Sequence, residues 1–375
     1  MNKLKEYKLN ELYNMSSGIN SSKDQAGSGY PFVSFRDIFN NTILPENLTE
    51  LMNTSEKERI KYSVKKGDVF ITRTSETPDE LAMSSVALKD YPNATFSGFA
   101  KRLRAINDKI VYDRYMAFYF RSKYFRKIIN ANTIMTLRAS FNEEMFSYIK
   151  IQLPDYDTQV KIGDMLYKIE EKILINTQIN NNLEELTYTI FLNSFINKNP
   201  NGIIGDIIKE SKKSKIKVGD VKDITGEYPF FTSGGAILEW NDYLVDGRNL
   251  FLNTGGNADV KFYVGKAMYS TDTWCITTKD DLSDYLYLYF KSIKKELNRK
   301  FFHGSGLKHL QKSLLKQEKI YIPENEELKI FNFQVKPMFD IISSKKIENK
   351  KLNLLKEFLL PMLMNGQINV DDIEI

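Results

Sequence analysis

Cys275 is the only cysteine in this 375-residue chain, and there are two histidines, His303 and His309. A single thiol forms no internal disulfide, and one cysteine cannot make a multi-cysteine zinc site. Cys275 lies in Asp272-Thr273-Trp274-Cys275-Ile276, an apolar strand-like run that suits a buried, inert thiol better than a nucleophile. The histidines share a lysine-rich segment with no carboxylate cluster beside them, which argues against a metal site. The sequence has no Asn/Asp-Pro-Pro-aromatic tetrad for amino-methylation, no Gly-x-x-x-x-Gly-Lys-Ser/Thr phosphate loop and no well-set Asp…Glu-x-Lys nuclease cluster. What remains is binding chemistry. Arg73-Thr74-Ser75 follows one strand directly and Asn253-Thr254-Gly255-Gly256-Asn257 follows another, with glycines that permit close backbone approach to a ligand.

Two similar blocks must position these segments. Ile151-Gln152-Leu153-Pro154 runs into a helix carrying Ile162, Leu166, Ile169 and Ile173, and Ile320-Tyr321-Ile322-Pro323 runs into one carrying Leu328, Phe331, Val335, Met338 and Ile342. The 169-residue offset between the prolines persists, pairing Ile173 with Ile342, Leu183 with Leu352, Leu186 with Leu355 and Ile190 with Leu359. A fixed long-range repeat marks a duplicated unit. The first block has strand signals at Tyr30–Phe35, Gly67–Arg73 and Phe99–Ile106, and one helix is expected over Tyr112–Asn130. In the second block Tyr228–Ser233 echoes the first strand, Asn249–Thr254 the second, and Tyr285–Ser292 matches Tyr115–Ser122.

The expected organisation is α+β: a globular domain over 1–152, a spacer helix in 153–200, a second domain over 201–321 and a second helix in 322–375. Each helix alone leaves an apolar stripe unburied, so the simplest arrangement pairs them antiparallel with pseudo-two-fold symmetry. A continuous helix from Asp157 to Asn197 is roughly 60 Å long. Its stripe shifts phase midway to Ile175, Ile179, Leu183, Leu186 and Ile190, and Asn180-Asn181-Asn182 suits a solvated face. Pro337 is expected to kink or break the last helix, and Pro361 with Asn365-Gly366 to end it.

Bulk properties narrow the setting. Lys and Arg number 53 against 48 Asp and Glu, and this mild +5 permits a polyanionic partner without demanding one. The 21 tyrosines and 24 phenylalanines suit sheet cores more often than base stacking. No apolar run approaches the length of a membrane span and the N-terminus has no secretory pattern, so a cytoplasmic protein without a membrane partner is expected.

The ordered motifs, occurring twice, resemble the specificity subunit of type I restriction-modification enzymes over nearly the whole chain. That family opens each spacer helix with Leu-Pro-Pro-Leu-x-Glu-Gln. Here Leu153-Pro154 keeps the opening, Asp155 replaces the second proline and Gln159 stands at the glutamine; in the second copy Ile322-Pro323 is kept and Leu328 stands there instead. Phe358-Leu359-Leu360-Pro361-Met362-Leu363-Met364-Asn365-Gly366-Gln367-Ile368 resembles the family's C-terminus, and Ile190–Phe195 the end of its central spacer. Gly226–Gly235, the segment Asn253–Asn257 with the strand Lys261–Gly265, and His303–Leu310 resemble its target recognition domain. The counterpart of that last loop, Thr136–Phe141, lacks the Gly-Ser pair.

The resemblance implies a DNA-recognition subunit without chemistry of its own, each domain reading one half of a bipartite target. The helices would set the gap and dock two methyltransferase subunits. S-adenosylmethionine, ATP and Mg are expected on partner subunits, restriction/translocase subunits among them, and no cofactor or metal on this chain. Duplex DNA is held through phosphates and read along base edges. Arg73 and Asn253 are the base-readout candidates, and Lys101, Arg102, Arg138 and Lys308 the phosphate candidates. Thr74, Ser75, Arg104, Ser140, Thr232, Ser233, Thr254, Asn257, Lys261 and Ser305 complete the expected DNA surface. Ile162, Leu166, Ile169, Ile173, Leu183, Leu186, Val335, Ile342, Leu352, Leu355 and Leu359 form the expected spacer and partner stripe. Two other readings stay open: a self-sufficient DNA-modifying enzyme with diverged motifs, and a coiled-coil scaffold that binds protein.

Overall fold

The computed structural model describes residues 4–20, 22–133, 139–222 and 224–373. The chain divides into two compact units, one of residues 1–173 with 351–375 and one of 174–350.

In the first unit a four-stranded antiparallel sheet runs in the order Tyr13–Ser17, Ala100–Ala105, Val69–Thr72, Ser84–Val86. All four residues of Val69–Thr72 are buried, as an inner strand covered on both faces requires. A three-stranded sheet places Ala26–Val33 between Leu51–Met52, which is antiparallel to it, and Thr95–Phe96, which is parallel. Lys5–Lys8 pairs with Lys150–Leu153 at the foot of the domain. The second unit repeats this plan. Its four-stranded sheet is ordered Ile208–Glu210, Thr273–Thr278, Arg248–Asn253, Val260–Val264. Tyr228–Phe231 lies between antiparallel Ile237–Trp240 and parallel Met268–Tyr269, and Gly202–Ile203 pairs with Lys319–Ile320. The matched motifs of the sequence therefore occupy matched places.

The helix expected over 112–130 is two helices, Asp113–Tyr119 and Lys123–Asn132. Ser122 makes the break: its hydroxyl donates to the Tyr119 carbonyl at 2.6 Å and accepts the Phe125 N–H at 3.2 Å. Both helices bury Tyr115, Tyr119, Phe125 and Ile129 in one core, so the apolar spacing runs on across the break.

The long helices span Tyr156–Phe195 and Asn325–Met364. Asp155 starts the first by accepting from the N–H and hydroxyl of Thr158. Gln159, buried, accepts from Tyr112 N at 3.0 Å and donates to the Ile110 and Pro154 carbonyls, which ties the helix start to the domain. At Gly163 a Cβ would lie 2.6 Å from Tyr115 N, so only glycine lets the helix cross there.

Within each unit the segments of the two helices run antiparallel. In the first, Ile162, Leu166 and Ile169 share a core with Leu359, Leu363 and Met364, flanked by Ile173, Leu352 and Leu355 and by the pairs Lys161–Asp371 and Glu170–Lys356. In the second, Phe191 and Phe195 meet Leu328, Phe331, Val335, Phe339 and Ile342, with Leu183 against the edge and Glu184–Lys346 and Lys198–Glu327 outside.

Two expectations about these helices are corrected. Pro337 does not break its helix. Its missing N–H leaves the Phe333 carbonyl without its helical donor, and both residues face solvent, where water can serve that carbonyl. The second half of the central seam is not Ile175, Ile179 and Leu186, which are 44%, 36% and 45% exposed. Asn176, Asn180 and Thr187 are buried in their place. Asn180 is therefore not on a solvated face, because the heptad spacing from Ile169 and Ile173 carries 176, 180, 183 and 187 inward.

Candidate nucleic-acid interface

At one end of each four-stranded sheet the backbone builds the same frame. In the first unit Arg73 N donates to Phe99 O at 2.8 Å and Arg73 O accepts from Phe141 N at 2.8 Å. In the second, Thr254 N donates to Asp272 O at 3.0 Å and Thr254 O accepts from Leu310 N at 2.9 Å. The segment after the inner strand is thus stitched between a turn on one side and a late loop on the other.

In the first frame this leaves Arg73 exposed while its backbone is fixed. Thr74 and Ser75 pair with Ser140 and Ala139, which brings Arg73, Thr74, Ser75 and exposed Ser140 onto one edge. Ser75 Oγ accepts from Thr77 N at 3.1 Å and shapes the following turn. Arg138 lies outside the described residues.

In the second frame a glycine shapes the loop cluster. Gly256 has φ +83°, and its N–H donates to Lys308 O at 2.9 Å, drawing the 303–309 loop against the 254–257 segment. Asn257, Ser305 and Lys308 are exposed there, and Ser233 and Thr254 are half-buried. Ser233, Asn257, Asp272, Lys294, Leu307 and His309 are among the residues that line a cleft of about 760 Å³.

Several candidates prove to be structural. Lys101 and Arg102 lie on a strand paired on both sides and are buried, and Arg104 near its end is half-buried. Lys101 Nζ is bonded to Ser17 Oγ at 3.0 Å and Glu143 at 3.1 Å. Arg102 donates to Ser63 O at 2.6 Å beneath the Phe96 ring, and burial, with Arg104 beside it, lowers its guanidinium pKa. Arg104 grips fully buried Asp68 with two bonds of 2.6 and 2.7 Å. None of the three stands ready for phosphate.

Asn253 is likewise not a reader. It is 3% exposed and its amide closes its own loop, donating to Gly255 O and Asn257 O and accepting from Asp259 N. Buried Thr232 donates to Ala236 O, and Lys261 holds Thr232 O, Gly234 O and Asp259. Burial pushes the Asp259 carboxyl up, but Lys294 and Lys261 outweigh it and leave the group below its ordinary range. The physical reason is common to all: a tight loop needs its own polar anchors, and residues of the reader type serve as braces. What the sequence did not reveal are the outward residues of the framing turns, Phe99 and Asp272, which no motif singles out as site residues.

A family model described as the type I restriction modification DNA specificity domain matches residues 1–185 and again residues 201–357. The chain belongs to the type I restriction-modification specificity family. Each copy of the family domain contains one of the two frames and the start of one long helix. The HindI specificity subunit of Haemophilus influenzae is 25% identical over 210 residues, spanning 53% of this chain and 42% of that one. The MjaIX specificity subunit of Methanocaldococcus jannaschii is 22% identical over an alignment of 422 residues, 98% of this chain and 94% of that one. The chain thus aligns with under half of the first relative and nearly all of the second. The fold is shared with the type I restriction-modification S subunit from M. genitalium, at a TM-score of 0.68 and 10% identity over 96% of both chains.

Cys275 is buried, and burial pushes its thiol pKa up to about 12. Among the described residues no group of three or more His, Cys, Asp or Glu is placed to hold a metal ion, and no helix is long and apolar enough to cross a membrane.

Proposed function

We propose that each unit reads one part of a two-part duplex DNA target, and that the long helices set the gap between the parts and dock two methyltransferase subunits. The observation that carries this reading is the repeated frame, which presents a separate set of exposed groups in each unit. Arg73 and Ser140 stand out from the first; Asn257, Ser305 and Lys308 stand out from the second. Arg73 and Lys308 are the cations we assign to DNA, with Thr74, Ser75, Ser233 and Thr254 as short polar neighbours. Phosphate contacts position such loops and base-edge contacts specify the sequence.

The helices carry apolar residues that their own pairing leaves uncovered. Ile330 and Phe333 are 65% and 85% exposed in the second unit, and Phe358 is 57% exposed in the first. With Ile175, Ile179 and Leu186, these are the residues we assign to methyltransferase docking. In this reading the chain is non-catalytic, works in the cytoplasm and lends an address to partners that hold S-adenosylmethionine, and to an ATP-driven restriction subunit.

The test is duplex binding by the chain with its modification subunits at rising salt. Each phosphate neutralised contributes about −0.9 to the slope of log K against log salt. A steep fall is expected; salt-independent binding contradicts the reading, as does methyl transfer by the purified chain alone.

A further inference from the structure

The turn that frames each loop cluster is the same in both units down to its hydrogen bonds. Ser97 N donates to Val33 O at 3.1 Å, and Ser270 N to Phe231 O at 2.9 Å. Gly98 N donates to Ile19 O at 2.8 Å, and Thr271 N to Ile216 O at 2.9 Å. Ala100 N closes the first turn on Ser97 O at 3.0 Å, and Thr273 N the second on Ser270 O at 3.1 Å. The residue between, Phe99 or Asp272, gives its carbonyl to Arg73 or Thr254. Four bonds in one unit thus have four counterparts in the other, and they hold one side chain at the same place on the edge of the sheet.

That side chain is exposed in both units, and its chemistry is opposite. Phe99 is 68% exposed, an arrangement that leaves a large ring in water for no gain to the fold. It sits beside Arg73, an exposed cation. Asp272 is exposed next to the glycine segment, and among the described residues its carboxylate makes no bond that would brace the loop, unlike Asn253 or Asp259. A rigid, repeated backbone with a variable, outward residue at its apex is the form a sequence-reading position takes.

From this we infer that Phe99 and Asp272 are equivalent specificity-determining residues, Phe99 packing on a thymine methyl and Asp272 accepting from an exocyclic base amino group, cytosine N4 foremost. The inference rests on the proposal that each unit reads DNA. The major groove displays both features: the thymine C5-methyl takes apolar contacts, and Asp accepts from cytosine N4. A carboxylate repels phosphates, so Asp272 fits a DNA surface only where it meets a base-edge donor.

The experiment maps methylated bases produced by the complex of this chain with its modification subunits, as wild type, Phe99→Ala and Asp272→Asn. Phe99→Ala is expected to relax one thymine-bearing position in one part of the target. Asp272→Asn is expected to relax one amino-bearing position in the other part. In binding assays, uracil in place of that thymine should weaken the wild type about fourfold, the worth of one buried methyl group, and should not weaken Phe99→Ala further. Both side chains are exposed, so melting temperatures should match the wild type and separate loss of reading from loss of fold. A two-part target unmoved by either variant, or relaxed uniformly in both parts, overturns this inference alone. A wild-type complex that methylates no two-part target overturns the underlying proposal, and this inference with it.

Discussion

Asn180 sits in the helix seam of the second unit at 6% exposure, and its Oδ1 has no hydrogen-bond partner among the described residues. An unsatisfied buried polar atom costs about 1–3 kcal/mol. Burying a leucine side chain in its place contributes about 1.5–3 kcal/mol, less whatever strain its different shape introduces. Asn180→Leu is therefore expected to stabilise this unit by about 2 kcal/mol. For domains of this size each kcal/mol moves the melting temperature by about 2–4 °C, so a rise of about 4–8 °C should follow. Asn176 provides the control. It is fully buried, and its Oδ1 likewise has no partner among the described residues, but its Nδ2 donates to Glu348 at 3.1 Å and Asn349 at 2.8 Å. Asn176→Leu leaves those partners facing an alkyl group, so it should bring no gain or a loss of about 1 kcal/mol. Differential scanning calorimetry of the three proteins gives the order. Asn180→Leu melting below the wild type, or Asn176→Leu melting above Asn180→Leu, refutes the reasoning. A polar residue in a helix seam fixes register at a cost in stability, which is the role the pair of asparagines fits.

Arg73→Ala should weaken duplex binding by about 1–3 kcal/mol and relax one part of the target, with melting unchanged. Arg102→Gln should do the reverse, lowering the melting temperature because the bond to Ser63 O and the ring contact are lost, while the folded protein keeps its affinity. Removing one heptad from each long helix shortens each by roughly 10 Å, and methylation mapping should show a gap altered by about three base pairs with both parts of the target retained. Burial raises the Asp284 carboxyl to about 6 although Arg248 lies 2.7 Å away. A carboxyl raised in the fold contributes stability that is fully present below its ordinary value of 3.8 and lost as the pH rises through about 6. The wild type should therefore gain melting temperature relative to Asp284→Asn between pH 7 and pH 5, and a constant difference contradicts this assignment.

Much of the fold was legible because the duplication is written in apolar residues. Tyr30-Pro31-Phe32 and Tyr228-Pro229-Phe230 fill the middle strand of equivalent sheets, and Ile162, Leu166 and Ile173 match Phe331, Val335 and Ile342 as core-facing helix positions. Leu186 misled because a leucine at plausible spacing outweighed the heptad phase that places Thr187 inside. The site was less legible for a different reason. Lys101, Arg102, Asn253 and Lys261 have the side chains a DNA reader uses, but those side chains also anchor tight loops and inner strands, and only tertiary pairing decides between the two uses. Phe99 and Asp272 each open a run that reads as a strand. Their shared position is defined by backbone hydrogen bonds that leave no trace in residue type.

The most direct test of twin reading is to map methylated bases in DNA from cells that express this chain with its modification subunit. Two dissimilar short sequences at a fixed separation, with unspecified bases between them, are the predicted result. A single uninterrupted recognition sequence, or methylation at no defined sequence, would contradict it.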